Sequence, residues 1–406
     1  MQGMKAPLSP PCKARENQTP LSRRSLLAAA AGAPLLAIVG CGGGGNGVSA
    51  EPDGVVTLAT DGANAKASAV INANATAARP TRHWAMGFSR VPPRFDVQTQ
   101  LLCLDAMRGR AEYVLMQEAL PWAELLAGTP AASLVARDLA PLAGYAAALG
   151  LDVVYLPEIT DGLARGREPA ALLATGRSLS EASVRQAFCD YLLAVAQQIN
   201  PATMGLATET NAVRLLAPAV LYHSVVQAVR QGAAALRDAG YSGELMITLQ
   251  VEVAWGLMPG QLGFEGISVD LQDFPAAQML GLSSYPYFAF IQPEDVPLNY
   301  YSRLVSTSGT PVMVVEGGWP SHPGIGGPTS GDMQARYLSH QAKLLNEVAA
   351  RGLTQLMLAD LDLGSWPAEQ AAGLASFASL GVMDSAFGAK PALAVWESLR
   401  ARRLLR

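Results

Sequence analysis

From about residue 83 to the C-terminus, short apolar runs alternate with longer segments of helical period. The runs are "HWAMGFS" (83–89), "AEYVLMQE" (111–118), "LDVVYLPE" (151–158), "TMGLATE" (203–209), "ELMITLQVE" (244–252), "QMLGLSSYPY" (278–287), "PVMVVE" (311–316) and "LTQLMLADLD" (353–362). Each reads as a strand followed by a crossover, because the gaps between them are too long for hairpins. The gaps carry helix signals. After Pro218, apolar residues recur at Leu221, Val225, Val229 and Leu236, and Gly240 sits just past the end. "DMQARYLSHQAKLLNEVAARG" repeats the pattern with Gly352 as its stop, and a last helix begins near Pro391 with Leu393, Trp396 and Leu399 on one face. Eight strands with helices between them predict a (β/α)8 barrel. A doubly wound open sheet is the competing arrangement. It would need a glycine-rich phosphate turn after its first strand, and none is present there.

The barrel occupies residues 81–406; what precedes it has a different character. "SRRSLLAAAAGAPLLAIVGC" places Arg23-Arg24 before an apolar stretch shorter than the roughly 20 residues that cross a bilayer. That is the pattern of a twin-arginine export signal over residues 1–41, and Ile38-Val39-Gly40-Cys41 is similar to a lipobox, in which Cys41 is lipidated. An ordinary cleaved signal or a start-site artefact are the alternatives. Residues 42–80, rich in Gly, Ala, Asn and Ser, read as a flexible tether. The expectation is an exported periplasmic or cell-surface lipoprotein, a monomer that touches the membrane only through its anchor.

Composition narrows the chemistry. Half of the 406 residues are apolar, 15% are charged, and the net charge is −4 without any basic block, which argues against nucleic acid. Cys103 and Cys189 remain after the signal and could pair outside the cytoplasm. No CxxC or HExxH pattern points to zinc, and no cofactor is implied.

In such a barrel, functional groups come from the C-terminal strand ends. Glu118, Glu158, Glu209, Glu252, Glu316 and the pair Asp360/Asp362 all fall there. Period-two alternation puts Thr248, Gln250 and Glu252 on one face of the fifth strand and Ile247, Leu249 and Val251 on the other. By the same rule Asp360 and Asp362 should point inward near the mouth. Crowded carboxylates shift one another's pKa and suit either a hard cation or acid/base and nucleophilic work on a sugar. An EF-hand loop is absent, although Asp360-Leu361-Asp362 could still serve an ion.

"VVEGGWPS" and "GLATETN" resemble segments of the retaining (β/α)8 glycoside hydrolases of clan A, the former closest to endo-β-1,4-galactanases and endo-β-1,3-glucanases. "LSSYPYF" is similar to the galactanase Ser-Tyr-Tyr-Pro region, and "GVMDSAFGAKPALAVWESL" to the terminal Gly-x-x-Lys-Pro-Ala segment. The likeness covers the C-terminal half well and residues 83–200 poorly. It implies that Glu316 is the nucleophile, that Glu209 is the acid/base, and that Tyr285 steadies Glu316. The interval from Glu209 to Glu316 independently fits three βα units. Two positions depart from the clan. Thr208 stands where an Asn normally precedes the acid/base glutamate, with Asn211 just beyond, and the second strand offers Gln117 and Glu118 in place of an arginine.

The resemblance thus implies a retaining β-glycoside hydrolase acting on a β-galactan- or β-glucan-type polysaccharide or oligosaccharide, with carboxyls about 5–5.5 Å apart and a raised pKa at Glu209. Trp319 and Trp366 can stack on sugar faces or simply pack. Gln117, Asn211, Glu252 and Asp360 are further candidates for substrate contact. Glu158, after Pro157, reads as a loop salt bridge, and His322 as a solvated loop residue. Two other classes remain open: a sugar-binding barrel lipoprotein without turnover, and a metal-assisted barrel hydrolase.

Overall fold

The computed structural model describes residues 80–162, 164–323 and 328–405. The export signal, Cys41 and nearly all of the tether therefore lie outside the described residues. Eight parallel strands close into a barrel in sequence order. They are β1 (Ala85–Ser89), β2 (Tyr113–Ala119), β3 (Asp152–Glu158), β4 (Thr203–Ala207), β5 (Glu244–Gln250), β6 (Met279–Ser284), β7 (Val312–Gly317) and β8 (Ala350–Gln355). Closure is made by β1 against β8, with Ala85 opposite Gly352. The chain is a (β/α)8 barrel, as the alternation of runs and crossovers predicts.

Alternation along each strand divides the core. Tyr113, Leu115, Val154, Leu156, Met246, Met279, Met313 and Val315 fill the barrel interior. Their neighbours, such as Val114, Tyr155, Ile247, Leu280 and Val314, join the larger cluster formed with the surrounding helices. Bulk inside is matched by absence of bulk opposite. A Cβ on Gly87 would lie 2.4 Å from the Tyr113 ring, and one on Gly352 would lie 2.8 Å from Met313 Cε. Gly352 is thus a strand residue making room for Met313 and Tyr113, not the helix stop expected of it. The helix before it, Gly331–Asn346, ends earlier.

The helices follow their end signals. Asp96 caps Val97–Met107 by accepting the Thr99 N–H at 2.7 Å, and Ser330 caps Gly331–Asn346. Ala219–Asp238 buries Leu221, Val225, Val229 and Leu236, and Gly240 turns the chain at φ 80. Pro391–Arg400 buries Leu393, Trp396 and Leu399. Under the N-terminal strand ends, Thr81–Arg82 pairs in parallel with Arg403–Leu404. The buried Arg82 guanidinium donates to the Trp84 carbonyl at 2.6 Å and to Glu112, which also pairs with Arg400 at 2.8 Å.

Several strands stop sooner than their apolar runs. β8 ends at Gln355; the Leu356 N–H still reaches Gly317 O at 3.0 Å, and the residues after it leave the barrel ladder. The Met383 N–H donates to Leu358 O at 3.0 Å and the Asp360 N–H to Met383 O at 2.9 Å, so this stretch pairs with the terminal segment instead. Asp360 and Asp362 are consequently not inward-facing strand residues. Glu252 lies in a single helical turn, Val251–Ala254, and Tyr285 lies past β6. Cys103 and Cys189 are both buried and free.

Candidate active site

Above the apolar filling, the inner faces of the strands become polar. Gln117 on β2, Glu158 on β3, Thr248 and Gln250 on β5, Ser283 on β6 and Glu316 on β7 are all buried, joined by Glu209, Glu252 and Tyr285 just beyond their strands. Glu209 and Glu316 are 0% exposed. Acids so placed need partners, and the partners define the site.

Glu316 reaches the mouth through an irregularity. The register between β6 and β7 slips after Leu282, leaving Glu316 opposite Ser283. The two glycines that follow are forced by close approach. Gly317 and Gly318 have φ of 150 and 148, and a Cβ on Gly317 would lie 2.4 Å from Ser284 O. Both carboxyl oxygens of Glu316 are held by neutral donors: Gln117 Nε2 at 2.8 Å on Oε1 and the Tyr285 hydroxyl at 2.9 Å on Oε2. Burial, and then the neighbouring Glu209, push the Glu316 pKa well above the usual carboxylate range. Arg165 and the Gln117 hydrogen bond act the other way. Burial beside Glu316 likewise raises the Tyr285 phenol, which stays a donor.

Glu209 has a different setting. It follows a bulge in β4 and sits at φ 46, a left-handed conformation that costs a β-carbon residue about 1–2 kcal/mol. Its N–H donates to Thr248 Oγ1 at 2.7 Å, which fixes the turn. Its Oε2 accepts from Arg165 Nε at 2.9 Å, while Oε1 has no partner among the described residues. Arg165, only 3% exposed, also grips both oxygens of Glu158, and Gln117 Nε2 donates to Glu158 as well as to Glu316. The side chains Glu209, Arg165, Glu158, Gln117, Glu316 and Tyr285 thus form one continuous chain of contacts across the mouth. The two glutamates expected to work together are brought to the same network. Glu158 is the ion-paired residue expected of it, but inside the mouth rather than on a surface loop.

Arg165 was not anticipated. It lies in "DGLARGREP", a charged stretch that no strand or helix periodicity singles out. The available signal was Glu158, an acid at a strand end that required a nearby cation.

The remaining candidates fall into two groups. Glu252 belongs to the mouth: its Oε1 accepts the Tyr285 N–H and the Tyr300 hydroxyl, both at 2.8 Å. Burial pushes its pKa up to about 7. The others are engaged elsewhere. Asn211 exchanges hydrogen bonds with the Gln250 backbone, at 2.9 and 2.8 Å, and Thr208 donates to Pro157 O at 3.0 Å. Trp319 is 2% exposed, its ring against Tyr337 and Tyr287 and its Nε1–H on Thr329. Trp366 packs on Phe95 and donates to Pro93 O. Asp360 is held by Lys390, at 2.7 and 2.9 Å, and Asp362 by Arg94 at 2.8 Å. Glu118 pairs with the buried Arg90. His322 is exposed. Among the described residues, no group of three or more His, Cys, Asp or Glu is arranged to hold a metal ion.

Solved structures share this architecture. An exo-β-1,4-mannosidase from Opitutaceae bacterium strain TAV5 superposes with a TM-score of 0.58 at 16% identity, over 79% of this chain and 59% of the mannosidase. GH5_18 from Bifidobacterium longum subsp. longum gives a TM-score of 0.55 at 15% identity, over 80% of this chain and 81% of that one. A fungal β-1,4-galactanase gives 0.52 at 16% identity, over 80% of this chain and 99% of that one. What is shared is the barrel. This chain spans little more than half of the mannosidase. No family model matches the chain, and no curated protein matches it either.

Proposed function

We propose that this protein is a retaining β-glycoside hydrolase, with Glu316 as nucleophile and Glu209 as acid/base, acting on a β-galactan- or β-glucan-type chain. The observation that carries the reading is the unbroken contact network that ties Glu316, beyond the β7 bulge, to Glu209, beyond the β4 bulge. In the reaction, a Glu316 oxygen forms a bond to the anomeric carbon as the glycosidic C–O bond breaks, and Glu209 gives its proton to the leaving oxygen. Water then attacks the same carbon, its proton returns to Glu209, and Glu316 is released.

The electrostatics add a requirement. With no sugar bound, Glu316 is the acid that burial disposes to keep a proton, and Glu209 faces Arg165. Substrate binding must therefore favour the ionised form of Glu316 and loosen the Arg165 contact to Glu209, which Glu158 is placed to absorb. The Arg165–Glu209 pair also favours the second reading, a sugar-binding barrel without turnover. Export and lipidation at Cys41 remain part of the proposal on the strength of residues 1–41.

Hydrolysis of 4-nitrophenyl β-glycosides and of β-glucan and β-galactan separates the two. Turnover that Glu316→Ala lowers by at least about 1,000-fold is the expected result, since the chemical step loses its covalent route. Azide added to Glu316→Gly should yield a glycosyl azide of inverted configuration. Saccharide binding without turnover by the natural chain would establish the second reading.

A further inference from the structure

The mouth contains a polar corner that the two-glutamate mechanism leaves unused. β5 and β6 are neighbours, with Gln250 opposite Ser283, and both side chains lie on the inward column of their strands. Gln250 Nε2 and Ser283 Oγ are buried and have no hydrogen-bond partner among the described residues. Glu252, two positions after Gln250, is 0% exposed and also keeps one oxygen, Oε2, without a partner. Three polar groups at the end of adjacent strands thus share unmet bonding capacity. A buried polar group left without a partner is destabilising, which points to a ligand rich in hydroxyls.

The corner is tied to the nucleophile. Glu252 Oε1 accepts the backbone N–H of Tyr285, the residue whose hydroxyl donates to Glu316. The same oxygen accepts from Tyr300, whose carbonyl in turn receives the Trp255 indole at 2.9 Å. Glu252 therefore fixes the backbone from which Tyr285 reaches Glu316, while its second oxygen is left without a partner among the described residues.

We propose that Glu252 is a positioning residue for the Tyr285–Glu316 pair and that Gln250, Ser283 and Glu252 Oε2 form a subsite reading adjacent hydroxyls of a sugar ring. The inference rests on the proposed function, and it assigns residues that neither the clan resemblance nor the network through Arg165 identifies. Gln250 Nε2 donates, Ser283 Oγ donates or accepts, and Glu252 Oε2 completes the set, a pattern that matches a vicinal diol. Burial raises the Glu252 pKa to about 7, so below that pH the carboxyl carries a proton and can also donate.

The test has two arms. The first measures kcat and KM on the best 4-nitrophenyl β-glycoside for Gln250→Leu, Ser283→Ala, Glu252→Leu and Glu252→Gln. The subsite variants at 250 and 283 should raise KM about tenfold with a smaller change in kcat. Glu252→Leu should instead lower kcat, about 100-fold, because Tyr285 is no longer fixed. Glu252→Gln, which keeps an oxygen for Tyr285 N–H, should recover at least tenfold of that loss, a rescue that general loss of packing would not show. The second arm titrates galactobiose, cellobiose and mannobiose, all β-1,4-linked, into the natural chain and the same variants by calorimetry. Binding weakened by Gln250→Leu and Ser283→Ala supports the subsite even if the natural chain turns nothing over, which would sink only the hydrolase reading. Variants at 250 and 283 that bind and turn over like the natural chain, or no binding of any of the three disaccharides, overturn the subsite. Equal kcat for Glu252→Leu and Glu252→Gln overturns the positioning role.

Discussion

Arg165 is the side chain on which the chemistry of the mouth turns. It is the cation that opposes the burial and like-charge effects raising the Glu316 pKa, and Gln117 contributes in the same direction through its hydrogen bond. Removing either should raise that pKa further, so Glu316, if it acts as the proposed nucleophile, becomes ionised only at higher pH. The acidic limb of kcat/KM should therefore move upward in Arg165→Met and, by less, in Gln117→Leu, as read from a pH–rate profile. Arg165→Met also strips a buried cation from Glu158 and Glu209. A loss of about 3–5 kcal/mol is expected in urea unfolding, against a smaller loss for Gln117→Leu. Of these residues, Glu209, Glu316, Tyr285 and Gln117 were legible because strand ends and local motifs single them out. Arg165 was not, because a loop arginine carries no periodicity, and only its tertiary partners distinguish it from a solvated one.

At the level of strands and helices, beginnings were easier to read than endings. β-Branched and apolar residues at alternating positions announce a strand, but the end of β8 depends on where a remote segment offers better partners. Leu358–Leu361 look like more of the same strand, yet Leu358 and Asp360 bond to Met383 and Leu361 to Ala378, beyond the reach of any local pattern. The same limit explains why Asp360 was placed in the mouth when Lys390 holds it elsewhere. Glycines within strands were ambiguous for a related reason, since their role here is to yield volume to a side chain on another strand. Gly87→Ala tests this directly. Its new methyl meets the Tyr113 ring, and overpacking should cost about 1–3 kcal/mol in urea unfolding, whereas Gly109→Ala has open space and only backbone strain to overcome.

For the molecule as a whole, burying several acids in one mouth makes folding sensitive to pH. Glu252 has a folded pKa raised from 4.5 to about 7, so the native state holds a proton that the unfolded chain releases between those values. Its stabilising contribution is full below pH 4.5 and is lost as pH rises through about 7. Glu316 acts in the same sense. Replacing Glu252 by Gln removes its share, so Glu252→Gln should gain on the natural chain by roughly 3 kcal/mol between pH 4.5 and pH 8. Urea unfolding at the two pH values checks it, and a parallel pH dependence for both chains would count against the assignment.

The short pairing of Thr81–Arg82 with Arg403–Leu404 lies under the N-terminal strand ends, and Leu404 and Leu405 line the same opening as Asp152, Thr203 and Glu244. Glu209 and Glu316 are at the opposite pole. Whatever holds this molecule by the stretch ahead of Thr81 therefore grasps it from behind. A barrel moored that way would aim its polar mouth outward, like a flower on its stalk, toward whatever arrives from the surroundings.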